Sequence, residues 1–273
     1  MRQFISSEFP NKDGLITVTG KDFRYLYQVL RIKIGDMLAV RFSDGSLQNT
    51  TVCKILENLK KIELQVCSSD LSDFNDCDIT RGTKAIEIQN EDQSVEYTLF
   101  QFIAKPVKME QIIRQAVECG VRYIVPVKGE YSQNQNIQSL SHSKKERIER
   151  LVREARQQSG SPVSSEVLAP LSLEECVEWW KNNINSEELS SCALFLWERS
   201  EKTESLKKIF LEENCKKIKK IAIVVGSEGG ISPKEADFLL KMGFKAIHFP
   251  GNILRCETAA LYGIAAVQSF LNQ

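Results

Sequence analysis

Short runs of alternating apolar and polar residues recur through the first part of the chain. They lie at 15–18, 36–40, 50–55 and 61–66, with glycine and other turn-forming residues between them. Alternation with a period of two is typical of strands that bury one face, and short strands at this spacing indicate a small β-barrel. One interruption of the pattern, at 22–30, predicts a helical turn or two.

The next segment, 68–96, is polar, acidic and rich in turn-forming residues. It predicts a linker or an extended edge, with one short strand at 85–88, and we place a domain boundary inside it. The predicted domains are therefore a β-barrel at 1–70, an acidic linker or extension at 71–96 and a second domain at 97–273.

From residue 97 onward, apolar runs alternate with segments of helical periodicity. Strands are predicted at 98–104, 122–127, 166–168, 193–197, 221–225 and 245–249. Helices are predicted at 109–119, 141–158, 172–180 and 205–215, then one that Ser232 and Glu235 begin with a capping box and a last one capped by Thr258. This alternation predicts a parallel sheet covered on both faces, so the expected fold class is α/β.

Two glycine-bearing loops lie near the end of the chain. The strand at 221–225 runs into Gly226–Gly230, and the strand at 245–249 runs into Pro250-Gly251-Asn252. Both loops follow the carboxyl ends of predicted strands, where open α/β sheets bind ligands.

These loops do not match the common nucleotide-binding patterns. A dinucleotide site requires Gly-x-Gly-x-x-Gly early in its domain with an acidic residue about 20 residues later, and a nucleoside triphosphate site requires a Walker A loop. The chain contains neither pattern. Backbone groups of glycine loops can still hold a small ligand, and tight turns between packed elements are the alternative.

The composition predicts reduced thiols and no metal site. Eight cysteines are spread along the 273 residues without a Cys-x-x-Cys pair, and there are two histidines. No apolar run resembles a signal peptide or a membrane span, so we expect a cytoplasmic location. The net charge of zero speaks mildly against a nucleic-acid-binding protein, but eight acidic residues between 66 and 96 leave basic surface elsewhere.

Basic and aromatic residues are mixed around the predicted helical turn in the first domain. Arg24 and Arg31 flank Tyr25 and Tyr27. Such a group can hold phosphates and stack a base. Tyrosines that plug the barrel and arginines on a solvated rim explain the same residues equally well.

The glycine loops also carry a family resemblance. Residues 225–230, Val-Gly-Ser-Glu-Gly-Gly, and 250–259, Pro-Gly-Asn-Ile-Leu-Arg-Cys-Glu-Thr-Ala, resemble the paired signature of the SPOUT-class RNA methyltransferases. More narrowly, the chain is similar to the E-type enzymes that methylate uracil N3 in 16S ribosomal RNA. The stretches 27–36, 105–121 and 154–160 are similar to that family's barrel, first helix and A-x-Q-S-G segment.

The sequence departs from the family's pattern at four positions. Ser227, Pro250 and Cys256 stand where proline, leucine and threonine are usual, and Ser161 stands where arginine is common. The first three lie in loops that act through their backbone, so cofactor binding is still expected.

The resemblance implies a fold and a cofactor. The expected architecture is a small PUA/OB-like β-barrel followed by a SPOUT α/β domain with a C-terminal deep trefoil knot, assembled as a homodimer. The knot would bring both glycine loops into one pocket for S-adenosyl-L-methionine. The implied cofactor-binding residues are Leu196, Trp197, Glu198, Val225, Gly226, Ser227, Glu228, Gly229, Gly230, Phe249, Pro250, Gly251, Asn252, Ile253, Leu254, Thr258 and Ala259.

The resemblance also implies an activity, the methylation of N3 of a specific uridine in small-subunit (16S) ribosomal RNA. The expected partner is ribosomal RNA or the small ribosomal subunit, with no membrane and no metal. Arg255 is expected to stabilise negative charge on the base or its phosphate and Glu257 is a candidate base, whereas an ion pair between them or with a helix terminus is the alternative. RNA contacts are expected from Arg2, Arg24, Arg31, Lys33, Lys105 and Arg156.

Two other functions fit the same resemblance. One is a SPOUT methyltransferase that acts on a different RNA or on a ribose 2′-hydroxyl. The other is a non-catalytic RNA-binding or ribosome assembly factor.

Overall fold

The computed structural model of the protein describes residues 3–43, 45–67, 95–133, 136–137, 145–184, 190–198, 203–212 and 218–271. The chain divides into two compact units, one formed by Met1–Glu87 with Gln157–Pro162 and the other by Ile88–Arg156 with Val163–Gln273. The predicted strand at 85–88 and most of the predicted linker at 71–96 lie outside the described residues, so the predicted domain boundaries stay predictions.

The first unit is built on one sheet. Its strands are β1 (Gln3–Ile5), β2 (Leu15–Val18), β3 (Met37–Arg41), β4 (Leu47–Leu56) and β5 (Lys61–Val66). They follow the order β1-β3-β4-β5-β2, in which β1 and β3 are parallel and the other pairs are antiparallel. The alternating pattern correctly predicted β2 and β5, whose apolar residues Ile16, Ile62 and Leu64 are fully buried.

The interruption between β2 and β3 is helical, as predicted. A short helix, α1 (Gly20–Arg24), continues into a π-helical turn at Tyr25–Val29. Phe23 and Leu26 point into the core of the first unit. Tyr27 stacks on Phe23 with a ring-centroid distance of 5.3 Å, and a hydrogen bond to Glu57 raises the pKa of its hydroxyl. The ring of Tyr27 therefore contributes to packing within this unit.

The second unit contains a parallel sheet. Its strands are β6 (Glu96–Phe102), β7 (Tyr123–Lys128), β8 (Glu166–Val167), β9 (Leu171–Ser172), β10 (Ser190–Leu196), β11 (Ile218–Val225) and β12 (Lys245–Ile247). The order is β12-β10-β11-β6-β7-β8, with β9 also paired to β7, and every one of these pairs is parallel. The prediction of an α/β fold with a parallel sheet is confirmed.

Helices cover both faces of this sheet. They are α2 (Pro106–Glu118), α3 (Lys145–Ser159), α4 (Leu173–Asn183), α5 (Leu206–Glu212), α6 (Pro233–Lys241) and α7 (Cys256–Leu271). Along β11, Ile221, Ile223 and Val225 pack into one core with residues of α2, α3, α5 and α7, whereas Ala222 and Val224 pack into a second core with α4 and α6. Burial on both faces explains why β11 is a continuous apolar run rather than an alternating one.

Local capping signals are correct at one predicted helix start and wrong at another. Ser232 and Glu235 form the capping box of α6, as predicted. The prediction that Thr258 caps the last helix is wrong, because α7 begins at Cys256 and the Arg255 carbonyl already accepts a hydrogen bond of 2.7 Å from the Ala259 amide. Burial of the Cys256 side chain favours a helix start two residues before Thr258.

No helix within the described ranges is both long enough and apolar enough to cross a membrane.

Candidate functional site

A cavity lies at the carboxyl ends of three neighbouring strands of the parallel sheet, β10, β11 and β12. Its volume is about 660 Å3, including the space that is open to solvent. The cavity has three walls, and each wall is the loop that follows one of the three strands.

Most of the predicted cofactor-binding residues line this cavity. They are Leu196, Trp197, Glu198, Val225, Gly226, Ser227, Gly230, Phe249, Gly251, Asn252, Ile253, Leu254 and Ala259. Among the described residues, the other four of the set, Glu228, Gly229, Pro250 and Thr258, are not part of the lining. The assignment of all 17 residues to the cofactor stays a prediction.

Sequence reasoning missed three lining residues, Ile247, His248 and Cys256. Ile247 and His248 directly precede the predicted loop, so reading that loop from the last residue of the strand would have included them. Cys256 was noted only as a residue that stands where threonine is usual, and its position between Arg255 and Glu257 could have placed it in the site.

Glycine is required in the first loop because the chain folds back on itself there. A Cβ atom on Gly226 would lie 2.6 Å from the carbonyl carbon of Gly230, closer than backbone atoms can approach. Gly230 has a φ of +76°, and its amide donates a 3.0 Å hydrogen bond to the Ser227 carbonyl. Gly229 is needed for a different reason, because a Cβ there would lie 2.9 Å from the side chain of Tyr131.

A buried amide holds this loop against the sheet. Gln101 near the end of β6 is fully buried, and its Nε2 atom donates to the carbonyl oxygens of Gly226 at 3.0 Å and Val225 at 3.4 Å. A buried carbonyl without a partner would cost about 1–3 kcal/mol, so this side chain stabilises the bent loop. The polar residue interrupts the apolar pattern of β6, which is the one sequence signal that could have found it.

The other two walls are joined through the end of β12. The Trp197 amide donates to the Ile247 carbonyl at 3.0 Å, and His248 Nδ1 lies 3.3 Å from the Trp197 carbonyl. Phe249 packs edge-on against Tyr262 of α7, with 4.8 Å between the ring centroids. These contacts fix the loop after β12 to the loop after β10 and to the last helix.

The two predicted catalytic residues do not pair with each other. Arg255 is exposed, and no carboxylate in the described part of the chain pairs with its guanidinium. The Glu257 carboxylate lies instead 3.2 Å from Lys108 Nζ of α2. Burial works to raise the pKa of Glu257, but hydrogen bonds from its own amide, from Cys256 and from Lys108 lower it below its usual value. Glu257 is therefore held as a carboxylate.

Comparison with known proteins identifies the family. The model of the RNA methyltransferase domain matches residues 91–268. A ribosomal RNA small subunit methyltransferase E from Aquifex aeolicus is 30% identical over 176 residues, which cover 64% of this chain and 69% of that protein. The chain belongs to the RNA methyltransferase family. The family assignment made from the glycine loops is confirmed.

Other relatives of this methyltransferase extend over almost the whole chain. Ribosomal RNA small subunit methyltransferase E 2 of Borreliella burgdorferi is 25% identical over 257 residues, 94% of this chain and 92% of the relative. The crystal structure of a small subunit methyltransferase E from Neisseria gonorrhoeae bound to S-adenosyl methionine has a TM-score of 0.73 at 23% identity, covering 99% and 98% of the two chains. A methyltransferase of Legionella pneumophila in complex with the same cofactor has a TM-score of 0.70 at 18% identity, covering 98% and 96%. These two likenesses show a shared fold.

The thiol of Cys256 is a buried polar group in the lining of the methyltransferase cavity. Its Sγ atom lies 3.3 Å from Glu257 Oε2 and 3.9 Å from Lys108 Nζ. Burial, together with the hydrogen bond to Glu257, raises the pKa of this thiol to about 12. It is therefore a neutral hydrogen-bond donor and not a nucleophile at neutral pH.

The predicted RNA-binding residues of the methyltransferase fall in both units. Arg24, Arg31 and Lys33 are exposed in the first unit, and Arg31 adopts a φ of +54°, which is uncommon for a residue other than glycine. Lys105 is exposed just before α2 and Arg156 is half-buried in α3, both in the second unit. Arg2 lies outside the described residues.

The lining residues fit a cofactor with both apolar and polar parts. Gly251 leaves open space beside the main chain of the lining, and Ser227 Oγ is buried in the lining without a hydrogen-bond partner within the part of the chain that the structure describes. No group of three or more His, Cys, Asp or Glu side chains is arranged to hold a metal ion among those same residues.

Proposed function

We propose that this methyltransferase transfers a methyl group from S-adenosyl-L-methionine to N3 of a uridine in the 16S ribosomal RNA of the small subunit. The observation that carries the proposal is the cavity at the ends of β10, β11 and β12, which is lined by most of the residues that the E-type resemblance assigns to the cofactor. Relatives named ribosomal RNA small subunit methyltransferase E support the choice of RNA.

The cofactor would be held mainly by backbone and apolar groups. Gly230 and Gly251 leave room for close approach to the main chain, and the Ser227 hydroxyl, which has no hydrogen-bond partner among the described residues, is available for a hydrogen bond. Leu196, Trp197, Ile253 and Leu254 supply apolar lining. When bound, S-adenosyl-L-methionine supplies an activated methyl group on its sulfonium.

Two charged residues beside the cavity have proposed roles in the reaction. Uracil N3 carries a proton at neutral pH, so methylation needs a group that stabilises the uracil anion or removes the proton. Arg255 is exposed directly before α7, and its guanidinium is available to stabilise negative charge on the base or its phosphate. Because Glu257 is held as a carboxylate by Lys108 and Cys256, we assign it a weaker role as a proton acceptor.

The first unit and the basic helix α3 are proposed to bind RNA. Exposed cations are well suited to phosphate contacts, which position a nucleic acid without reading its sequence. Those proposed are Arg24, Arg31, Lys33 and Lys105, with Arg2 and Arg156 as further members of the set. The sheet of the first unit is proposed to close into a PUA/OB-like barrel.

We further propose that the second unit is knotted and dimeric. The return of β12 to pair with β10, on the side opposite β11, supports a trefoil knot around the cofactor loops. Gly263 of α7 would place a Cβ only 3.1 Å from the side chain of Leu196, so the last helix packs closely on the end of β10. The dimer would have twice the chain mass of 31.0 kDa by light scattering.

Mapping of the modified nucleotide tests the proposal. Small subunits and naked 16S RNA from a deletion strain are incubated with the purified protein and labelled cofactor, and the product is analysed by reverse transcription and nucleoside mass spectrometry. A single N3-methyluridine that stops reverse transcriptase is expected, because N3 methylation blocks Watson–Crick pairing. A ribose 2′-O-methyl group or label in another RNA would identify a different methyltransferase, and cofactor binding without transfer would favour a non-catalytic assembly factor.

A further inference from the structure

A single lysine side chain of α2 joins two segments that border the cavity. Lys108 Nζ lies 3.2 Å from the Glu257 carboxylate in the first turn of α7 and 3.6 Å from the Glu228 carboxylate in the glycine loop. The Cys256 thiol is 3.9 Å from the same ammonium. A carboxylate of the glycine loop and one of the first turn of α7 therefore share one cation.

The start of α2 adds a second contact to this cluster. The Lys105 amide donates a hydrogen bond of 3.2 Å to Glu228 Oε1. Unpaired amides at a helix start favour a nearby negative charge, so Glu228 is attracted by the helix as well as by Lys108. Glu228 thus ties the glycine loop to the start of α2.

The charged side chains of this cluster are partly buried, so water screens their interactions less than those of an exposed ion pair. The exposed fractions of the Lys108, Glu228 and Glu257 side chains are 27%, 33% and 12%, whereas every side chain of the Lys145–Glu149 and Arg150–Glu154 pairs of α3 is at least 51% exposed. Although burial works to lower the pKa of Lys108, the hydrogen bond to Glu257 and the nearby acidic groups raise it above its usual value. Without the lysine, Glu228 and Glu257 would repel each other across the edge of the site.

We propose that Lys108 is a positioning residue that clamps the glycine loop to the start of α7 and thereby sets the affinity of the methyltransferase for its cofactor. This inference rests on the proposed function of the cavity. Among the described residues, Lys108 is not part of the lining, so it acts through Glu228 and Glu257.

The clamp affects binding more than chemistry. When Lys108 is removed, the two loops must be ordered by the ligand, and the free energy of that ordering is taken from the binding free energy. Once the cofactor is bound, the loops return to the same arrangement. The expected signature is a raised KM and Kd for S-adenosyl-L-methionine, and any change in kcat through the lost contact with Glu257 comes in addition to it.

The experiment uses three substitutions in the full chain. Lys108→Met removes the charge and keeps the stem, Lys108→Arg keeps a cation, and Arg114→Met removes an exposed cation from the same helix as a matched control. Calorimetric titration with S-adenosyl-L-methionine gives Kd, and methylation at saturating cofactor gives kcat. Lys108→Met should weaken binding by about tenfold or more, whereas Lys108→Arg and Arg114→Met should resemble the wild type.

A double-mutant cycle separates the clamp from a general loss of stability. Glu228→Gln should weaken cofactor binding in the wild-type background and have little further effect in the Lys108→Met background, because the interaction is already absent. Additive effects would overturn the proposal, as would unchanged affinity in Lys108→Met or a loss of kcat without a change in Kd.

If Lys108→Met does not fold, the same criteria apply to Glu228→Gln and Lys108→Arg, and a loss of affinity in Lys108→Arg equal to that in Glu228→Gln would overturn the proposal. Failure of the wild-type protein to bind the cofactor would instead overturn the proposed function.

Discussion

At the scale of single residues, the shape of the glycine loop depends on missing side chains. Gly226 is buried against the backbone of Gly230, and no rotation of a side chain can relieve a contact between a Cβ and main-chain atoms. A larger residue at position 226 must therefore shift the backbone of this loop, whose Gly226 carbonyl accepts a hydrogen bond from Gln101.

Gly226→Ala should therefore weaken cofactor binding by about tenfold or more, equivalent to about 1.4 kcal/mol. The matched control is Gly243→Ala, which places a Cβ in open space after α6 at a φ of +91° and strains the backbone away from the cavity. Both variants should lose stability in thermal unfolding. Calorimetric titration should show weaker binding for Gly226→Ala alone, and equal affinities in the two variants would contradict this account.

The exposed guanidinium of Arg255 leads to a prediction about chemistry. Removal of one donor that stabilises developing negative charge typically lowers a rate constant by about 100- to 1000-fold. Arg255→Ala should lower the single-turnover methylation rate by about this factor and change cofactor affinity little. Arg114→Ala is the control, and a near-wild-type rate for Arg255→Ala would rule out a catalytic role.

The neutral thiol of Cys256 leads to a prediction about pH. Because its pKa is raised to about 12, the thiolate that reacts with alkylating agents is scarce at every pH below that value. Iodoacetamide at pH 8 should modify the exposed Cys53 much faster than Cys256, as measured by peptide mass spectrometry. Rapid alkylation of Cys256 in the folded protein would show that its thiol is ionised.

At the scale of elements, two helices begin with the same capping box but in different surroundings. Ser172 and Glu175 cap α4, and Ser232 and Glu235 cap α6. The second box makes a further contact, since Glu235 Oε1 also accepts a 2.7 Å hydrogen bond from the Glu130 amide. Ser232 follows the glycine loop by two residues, so its cap also fixes the exit of that loop.

Ser232→Ala and Ser172→Ala should each lower the free energy of unfolding by about 1 kcal/mol, the usual loss for an N-cap. Only Ser232→Ala should also weaken cofactor binding, because it loosens the end of the cavity wall. Denaturant titration and calorimetry measure the two effects. Weaker binding in Ser172→Ala to the same extent would indicate that general stability, and not the loop exit, controls affinity.

At the scale of the whole molecule, a net charge of zero conceals a separation of charge. The chain has 36 basic and 36 acidic residues, yet eight of the acids lie between positions 66 and 96. A ligand such as RNA responds to the local field and not to the sum. Exposed cations such as Arg24, Arg31 and Lys33 can therefore contribute to RNA affinity in a protein that is neutral overall.

RNA binding should depend steeply on salt, since each phosphate contact releases counterions. Replacing Arg31 and Lys33 with alanine should reduce the slope of log affinity against log salt by about 1–2. Lys61→Ala is the control, because Lys61 is paired with Glu63 at 2.7 Å in the same unit. A flat salt dependence of the wild-type protein would contradict the proposed contacts.

Sequence patterns with a local cause were predicted correctly. Alternation identified β2 and β5, a capping box identified the start of α6, and the apolar run at 221–225 identified a strand buried on both faces. The family was also predicted correctly, because its signature consists of two short contiguous loops. The start of α7 was missed because burial of Cys256 outweighs a local capping preference at Thr258.

The sequence by itself therefore determined most of the elements, the two glycine loops and the family, but not β1 or β9. Only the tertiary structure decided that β10, β11 and β12 are neighbours and that Gln101 holds a loop 125 residues away. It also decided that Lys108, and not Arg255, pairs with Glu257, and that the same lysine contacts Cys256, which is 148 residues away. The physical reason is that backbone conformation and periodic burial depend on nearby residues. The partners of a buried polar or charged group depend on the distant segments that the fold brings beside it.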